Sequence, residues 1–266
     1  MADQTFEHHL GVMAGRFRCS PFFFAVGTIA WRPLLAVSIG GSTQTHGILL
    51  CWCRTIAALY LHHRRHTMLK ALLVDVDGVL AIGPPFSTSL ARDYGITPEA
   101  TTPFFQGRFR DCLVGTRDLK EELEHVLPSW GWYQSVDAFL EYWFTSEHVI
   151  NTPLVEVIQR FRRRSLDCYL ATNQERYRTK YLLRDMGFAK LFDGMFSSAD
   201  VGCMKHDSLF FTRVIQQLGE PPAEDLLFWD DSPGNVATAG AVGLRAERYL
   251  DVDGFERVVE GHFLQP

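Results

Sequence analysis

Short apolar runs of β-type residues recur from residue 69 onward, and a helical pattern follows each of them. The first run covers residues 71–76 (ALLVDV), and the later ones lie at 167–172 (DCYLAT), 194–197 (GMFS), 225–230 (DLLFWD) and 244–249. Runs this short and apolar are typical of strands that are buried on both faces of a sheet. The alternation with helices therefore predicts an α/β fold, a Rossmann-like, doubly wound parallel sheet with helices on both faces.

Residues 84–150 interrupt this alternation. They contain no β-run of comparable strength but several helical patterns, at residues 87–94, 99–112, 117–126 and 136–144. Thr116 and Ser135 are the expected N-caps of the last two helices. We therefore expect a catalytic core formed by residues 68–83 and 151–266, with an inserted all-helical domain at 84–150.

The segment before the core has a different composition. Residues 1–67 contain six arginines, no lysine and two acidic residues, whereas residues 68–266 contain 20 basic and 29 acidic residues. The segment is interpreted as an extension that is disordered or foreign to the domain, an organelle-targeting segment, or a membrane-associated segment. Its apolar stretch at 21–31 is too short to span a bilayer, so no stable membrane span is expected.

Partners and compartment are constrained by charge and cysteine content. The net charge of −5 gives no reason to expect binding to nucleic acid. The six cysteines are scattered without a disulfide framework, which favours a reducing, cytoplasmic location. The oligomeric state is left open.

Polar groups stand where the predicted strands end. They are Asp75 and Asp77, Thr172 with Asn173, and Asp230 with Asp231, while Lys205 precedes the helix after the third strand. Each group alone is typical of a turn, a helix cap or a solvated lysine. Together they are hard to explain by capping, because the carboxyl ends of parallel strands meet in one crevice.

The chemistry of such a crevice is coherent. Converging carboxylates would repel one another without a cation, and Mg²⁺ is the cation that fits oxygen ligands. A lysine, a hydroxyl and backbone N–H groups suit an anionic phosphate. One carboxylate can then attack phosphorus while another transfers the proton.

Four segments in this order resemble the motifs of the haloacid dehalogenase (HAD) superfamily. They are residues 72–80 (LLVDVDGVL), 170–173 (LATN), 202–205 (GCMK) and 228–235 (FWDDSPGN). The resemblance implies a phosphatase-like hydrolase with a helical cap. It also implies that Asp75 is the nucleophile that becomes an aspartyl-phosphate and that Asp77 is the general acid and base. True dehalogenases of the superfamily generally lack an acid at the position of Asp77.

The resemblance assigns the remaining residues as well. Thr172, Lys205 and the Asn173 backbone would hold the phosphoryl oxygens. The Asp75 carboxylate, the Asp77 main-chain carbonyl and the Asp231 carboxylate would bind Mg²⁺. Asp230 would act through water or by orienting Lys205, and Ser232 and Asn235 would shape the loop.

The insert leaves the substrate open. Arg108 or Arg110 could meet the polar end of a substrate, although both are also typical of a surface helix. The expected function is hydrolysis of a small phosphorylated metabolite, with sugar phosphate as a guess from the family. A phosphomutase or other phosphotransferase on the same scaffold, or a non-catalytic binding protein that kept the fold, are the alternatives.

Overall fold

The computed structural model describes residues 69–263, and the predictions for residues 1–67 lie outside this range. Five parallel strands form one sheet in the order β3-β2-β1-β4-β5, which confirms the predicted α/β fold. The strands are β1 (Ala71–Val74), β2 (Asp167–Thr172), β3 (Gly194–Ser197), β4 (Leu226–Asp230) and β5 (Arg245–Arg248).

The central strand explains why both faces of the sheet carry helices. All four residues of β1 are buried, and they alternate between two apolar clusters. Leu72 and Val74 belong to one cluster, and Ala71 and Leu73 belong to the other. A strand can be buried on both faces only if helices cover both sides of the sheet. The apolar run of β1 therefore requires the three-layer architecture of helices, sheet and helices.

Residues 86–146 form a helical insert with an apolar cluster of its own, which is rich in aromatic residues. The insert contains α1 (Phe86–Tyr94), α2 (Pro98–Gln106), α3 (Phe109–Leu113), α4 (Leu119–Trp130) and α5 (Val136–Ser146). Seven helices and one 3₁₀ turn of the core complete the described residues: α6 (Thr152–Arg162), α7 (Arg176–Arg184), α8 (Phe188–Leu191), α9 (Ser198–Val201), α10 (Ser208–Gln217), the 3₁₀ turn (Ala223–Asp225), α11 (Pro233–Ala241) and α12 (Val252–Phe263).

Two predictions within the insert were wrong. The single helix expected over residues 99–112 is broken at Gly107, whose backbone is not helical (φ −106°, ψ −109°). A Cβ at that position would lie 2.8 Å from the carbonyl oxygen of Pro103, so a glycine fits the break. Asp118, rather than Thr116, caps α4 by accepting from Lys120 N. The predicted cap at Ser135 is confirmed.

The chain passes between core and insert through two adjacent segments, here called the crossing segments (residues 80–83 and 147–151). Ile82 N donates to Val149 O at 2.8 Å, and Asn151 N donates to Leu80 O at 2.8 Å. A Cβ on Gly83 would meet the main-chain oxygen of Glu147 at 2.5 Å. The segments can therefore pair this closely because residue 83 is glycine. None of the helices within residues 69–263 has the length and apolar character that a membrane span needs.

Candidate active site

The carboxylate of Asp75 lies one residue beyond β1, at the carboxyl edge of the sheet. Its main-chain N–H donates to Trp229 O at 2.9 Å, which continues the ladder between β1 and β4. Its Oδ1 accepts from the N–H of Val76 at 2.7 Å. The residue is 6% exposed. A buried carboxylate is costly unless it is paired, so its partners decide what it can do.

Lys205 is the cation that pairs with Asp75. Its Nζ lies 2.5 Å from Asp75 Oδ1 and 2.7 Å from Asp230 Oδ2, and the lysine is 2% exposed. The N–H of Lys205 donates to the Oδ1 of Asn173 at 2.9 Å, so the end of β2 anchors the loop that carries the lysine. The structure thus brings four of the predicted site residues into one cluster.

Burial and charge act in opposite directions on this cluster. Burial raises the pKa of Asp75 to about 7, the positive charge of Lys205 opposes that rise, and the charge of Asp230 adds to it. Burial works against the protonated form of Lys205, but the charges of Asp75 and Asp230 outweigh it, so the pKa of the lysine is raised. Lys205 is therefore an ammonium ion at neutral pH.

Asp230 has hydrogen-bond donors on both carboxylate oxygens. Oδ1 accepts from Ser232 N at 2.8 Å, and Asn235 Nδ2 donates to Oδ1 at 3.1 Å and to Oδ2 at 3.0 Å. Oδ2 also contacts Lys205. Asp230 therefore contacts Lys205, and Ser232 and Asn235 contact Asp230 from the same loop; the roles predicted for these three residues stay predictions.

Asp231 completes a group of carboxylates that could hold a metal ion. Ligand oxygens of Asp75, Asp230 and Asp231 all lie within 4.8 Å of one another. Asp231 is exposed, and its carboxylate lies against Gly78, where a Cβ would meet Asp231 Oδ2 at 2.5 Å. Three carboxylates and one lysine leave two negative charges, a balance that suits a hard divalent cation such as Mg²⁺. The donor set therefore fits the predicted cofactor.

The side chain of Asp77 is directed toward the segment that follows β2. Its Oδ2 accepts from Gln174 Nε2 at 2.5 Å, and its Oδ1 accepts from Arg178 Nη2 at 3.4 Å. The Asp77 side chain is 57% exposed although both donors are buried. Gln174 and Arg178 were not among the predicted site residues. The one signal in the sequence that could have identified Gln174 is its position directly after the Thr172-Asn173 pair.

Thr172 is the last residue of β2 and is 1% exposed. It pairs in register with Ser197 at the end of β3, and two residues earlier Leu170 pairs with Val74. Because Val74 directly precedes Asp75, Thr172 lies at the same edge of the sheet as the carboxylates. This is the position that its predicted role in phosphate binding requires.

The two arginines predicted as candidate substrate contacts lie in different surroundings. Arg108 Nη1 donates to Glu122 Oε2 at 3.0 Å, and Glu122 also accepts from Arg117 at 2.6 Å. Arg110 lines a cleft of about 630 Å³ between α3 and the loop that carries Lys205. The other lining residues are Asp111, Val114, Gly202, Cys203, Met204, His206 and Asp207.

Comparison with known proteins identifies a family and similar folds. A family model described as haloacid dehalogenase-like hydrolase matches residues 69–243. A predicted HAD-like hydrolase from Porphyromonas gingivalis has a similar structure, with a TM-score of 0.63 and 19% identity over 75% of this chain and 100% of that one. A HAD family enzyme from Bacteroides thetaiotaomicron, solved as a magnesium complex, has a TM-score of 0.59 and 19% identity over 68% of this chain and 93% of that one.

Among curated proteins, drimenol cyclase drtB from Aspergillus calidoustus is 36% identical over 76 residues. The match covers 29% of this chain and 14% of the cyclase, so this chain spans about a seventh of that relative's length.

Proposed function

This chain belongs to the haloacid dehalogenase-like hydrolase family, and we propose that it is a Mg²⁺-dependent phosphohydrolase that acts on a small phosphorylated metabolite through an aspartyl-phosphate at Asp75. The observation that carries the proposal is the contact of Lys205 with both Asp75 and Asp230, beside the exposed carboxylate of Asp231. A buried ammonium group can bind an anionic phosphate, and the carboxylates at the same sheet edge can bind a divalent cation beside it.

Mg²⁺ would be held by the carboxylates of Asp75 and Asp231, with the main-chain carbonyl of Asp77 as the further predicted ligand. Asp230 is less suited to direct ligation, because its oxygens already accept from Lys205, Ser232 and Asn235. When bound, the ion would neutralise the phosphate oxygens and lower their repulsion of the incoming carboxylate.

The reaction at these residues then proceeds in two steps. A carboxylate oxygen of Asp75 attacks phosphorus, the bond from phosphorus to the leaving oxygen breaks, and Asp77 donates a proton to that oxygen. In the second step Asp77 takes a proton from water, whose oxygen attacks the phosphorus of the aspartyl-phosphate. Inorganic phosphate leaves, and the carboxylate of Asp75 is restored. Lys205, Thr172 and the backbone at Asn173 would hold the phosphoryl oxygens throughout.

Asp77 favours phosphoryl transfer over cleavage of a carbon–halogen bond. A phosphate monoester releases an alkoxide, which needs a proton, whereas a halide leaves as a stable anion. An acid two residues after the nucleophile is therefore useful in the hydrolysis of a phosphate monoester, where it can protonate the leaving oxygen. The Asp77 side chain is 57% exposed, so a leaving group could reach it.

The helical insert would act as a cap that selects small substrates. It touches the core through Ser198 Oγ, which donates to Leu113 O at 2.6 Å, and through Arg176 Nη2, which donates to Gly115 O at 2.9 Å. Tyr177 OH donates to Asp118 Oδ2 at 2.7 Å. A cap held against the core by these contacts would restrict access to the site and so favour small substrates.

The test is phosphate release by the purified full-length chain. We expect hydrolysis of p-nitrophenyl phosphate with Mg²⁺, loss of activity in EDTA and recovery on adding Mg²⁺ back. Asp75→Asn should abolish turnover while leaving the circular dichroism spectrum unchanged. Asp167→Asn is the matched control, since Asp167 is an exposed aspartate at the opposite, amino end of the neighbouring strand β2.

Two outcomes would contradict the proposal: full activity in EDTA, or an active Asp75→Asn variant. A screen of sugar phosphates and other phosphorylated metabolites, read by free phosphate and by isomeric products, separates hydrolysis from a mutase reaction.

A further inference from the structure

A buried arginine connects the predicted general acid to the helical insert. Arg178 lies in the first turn of α7, and its side chain is 3% exposed. One end of its guanidinium faces Asp77, with Nη2 3.4 Å from Oδ1. The other end faces Glu147, with Nη1 3.0 Å from Oε2. The same guanidinium therefore contacts the loop that carries Asp77 and the residue that follows the insert.

Glu147 links the two ends of the insert. It directly follows α5, where the chain leaves the insert, and its Oε1 accepts at 3.0 Å from the N–H of Phe86, where the insert begins. Its Oε2 accepts from Trp143 Nε1 at 3.1 Å. A displacement of either end of the insert would therefore move the carboxylate that Arg178 contacts.

Asp77 is held on both oxygens by the segment that follows β2. Gln174 is 6% exposed and donates to Oδ2, while Arg178 donates to Oδ1. The carboxyl group itself is half exposed, and an exposed aspartate with no such donors samples several rotamers. Two buried donors on its two oxygens restrict it to one orientation.

A purely structural ion pair explains this arrangement less well. Buried guanidinium groups are typically satisfied by well-aligned, often bidentate carboxylates. Here Nη1 is close to Glu147 but makes no hydrogen bond of good geometry, and Nη2 is turned toward the exposed Asp77. Arg178 thus has one buried nitrogen, Nη1, without a hydrogen bond, while Nη2 donates to Asp77.

We propose that Arg178 is a positioning residue that orients the Asp77 carboxyl for proton transfer and, through Glu147, makes that orientation depend on the docked position of the helical insert. The inference rests on the proposed phosphatase function and deepens it. Arg178 needs no contact with the substrate for this role. Its effect acts through Asp77, and in the first step a loss of that orientation slows protonation of the leaving oxygen.

The test compares two substrates that differ in their need for that proton. p-Nitrophenolate leaves readily without one, whereas the alkoxide of an alkyl phosphate does not. The ratio kcat/KM covers only the steps up to formation of the aspartyl-phosphate, so the later attack of water does not mask the difference. We expect Arg178→Met to lower kcat/KM for the alkyl phosphate by about tenfold to a hundredfold, and for p-nitrophenyl phosphate by about threefold at most.

Three further variants complete the design. Arg184→Met is the matched control, because Arg184 lies in the last turn of the same helix and pairs on the surface with Asp185; both rates should stay unchanged. Gln174→Leu removes the second donor to Asp77 and should show the same substrate dependence as Arg178→Met. Glu147→Gln should show it in weaker form, since Arg178 and its contact to Asp77 remain.

The outcomes separate the two proposals. If Arg178→Met and Gln174→Leu lower kcat/KM equally for both substrates, Asp77 is not positioned by these residues, and the inference is wrong while the phosphatase stands. If Arg178→Met does not fold, Gln174→Leu and Glu147→Gln carry the same comparison. An unchanged substrate ratio in Glu147→Gln would remove the link to the insert. Absence of phosphate release by the wild-type chain would overturn both proposals.

Discussion

The Nζ atom of Lys205 lies 2.5 Å from Oδ1 of Asp75, in a place where neither residue is reached by solvent to a significant extent. Burial raises the pKa of this carboxyl group to about 7, and the ammonium group opposes that rise. The same contact neutralises part of a carboxylate cluster that would otherwise repel a phosphate. One lysine thus serves both the stability of the core and the chemistry proposed for it.

Removing this cation should be costly for folding as well as for activity. Lys205→Met leaves two buried carboxylates without their partner, so we expect a loss of about 3–5 kcal/mol in the free energy of unfolding and no detectable turnover. Urea unfolding in the absence of Mg²⁺ measures the first effect. Lys120→Met is the control, because Lys120 pairs with Asp137, whose side chain is 75% exposed, and this change should cost about 1 kcal/mol or less. Equal stability losses for the two variants would show that Lys205 is not buried with its partners.

Gly78→Ala should damage the metal site beyond its effect on the backbone. Gly78 has a φ of +78°, and its new Cβ would collide with Asp231 Oδ2 at 2.5 Å. Gly131 is the matched control, with a φ of +85° and no atom within 4 Å of a Cβ. Both alanine variants should lose about 1–2 kcal/mol of stability from the left-handed backbone. Weaker Mg²⁺ binding in titration calorimetry, with lower activity, is expected for Gly78→Ala alone; equal Mg²⁺ affinities would contradict the placement of Asp231.

Glu175 should make the stability of the protein depend on pH. Burial raises its pKa to about 7 from an ordinary 4.5, although the N–H groups of Tyr177 and Arg178 oppose the rise. Between these two values the folded state keeps a proton that the unfolded state has lost. The stability that this proton contributes is complete below the unfolded pKa and is lost as the pH rises through about 7.

The measurement is urea unfolding of wild type and Glu175→Gln from pH 4 to pH 8. At roughly 1.4 kcal/mol per pKa unit, the variant should gain on the wild type by up to about 3 kcal/mol over this window. Glu224→Gln, which changes an exposed glutamate, should run parallel to the wild type. A constant difference between Glu175→Gln and wild type at every pH would show that Glu175 does not titrate in this range.

Replacing Arg108 by methionine and replacing Arg110 by methionine should have different effects on stability and KM. Arg108 pairs with Glu122, which keeps Arg117 as a second partner, so Arg108→Met should cost about 1 kcal/mol or less of stability and leave KM unchanged. Arg110 lines the cleft beside the Lys205 loop. Arg110→Met should raise KM for substrates with an anionic leaving group on the order of tenfold, with kcat unchanged. Steady-state kinetics on the screened phosphates measures both changes. If Arg108→Met raised KM and Arg110→Met did not, the substrate contact would be Arg108.

The sheet and the position of the site could be predicted because their signals are local. An apolar run such as residues 71–76 indicates a buried strand by itself, and a polar residue at its end marks the carboxyl edge. Parallel pairing then brings Asp75, Thr172 and Asp230 to one edge whatever the details of packing. The strand predicted over residues 71–76 is shorter in the structure: β1 ends at Val74, so Asp75 lies just outside it.

The sequence by itself determined the α/β fold, the order of the strands along the chain and the polar residues at their ends, because periodicity and strand-end residues are properties of neighbouring positions. Only the tertiary structure decided that Arg178 joins Asp77, 101 residues away, to Glu147 at the end of the insert. It also decided that Arg108 is paired within the insert while Arg110 lines a cleft. These contacts join side chains far apart in the chain, and the packing of helix on sheet, which no local pattern encodes, brings them together.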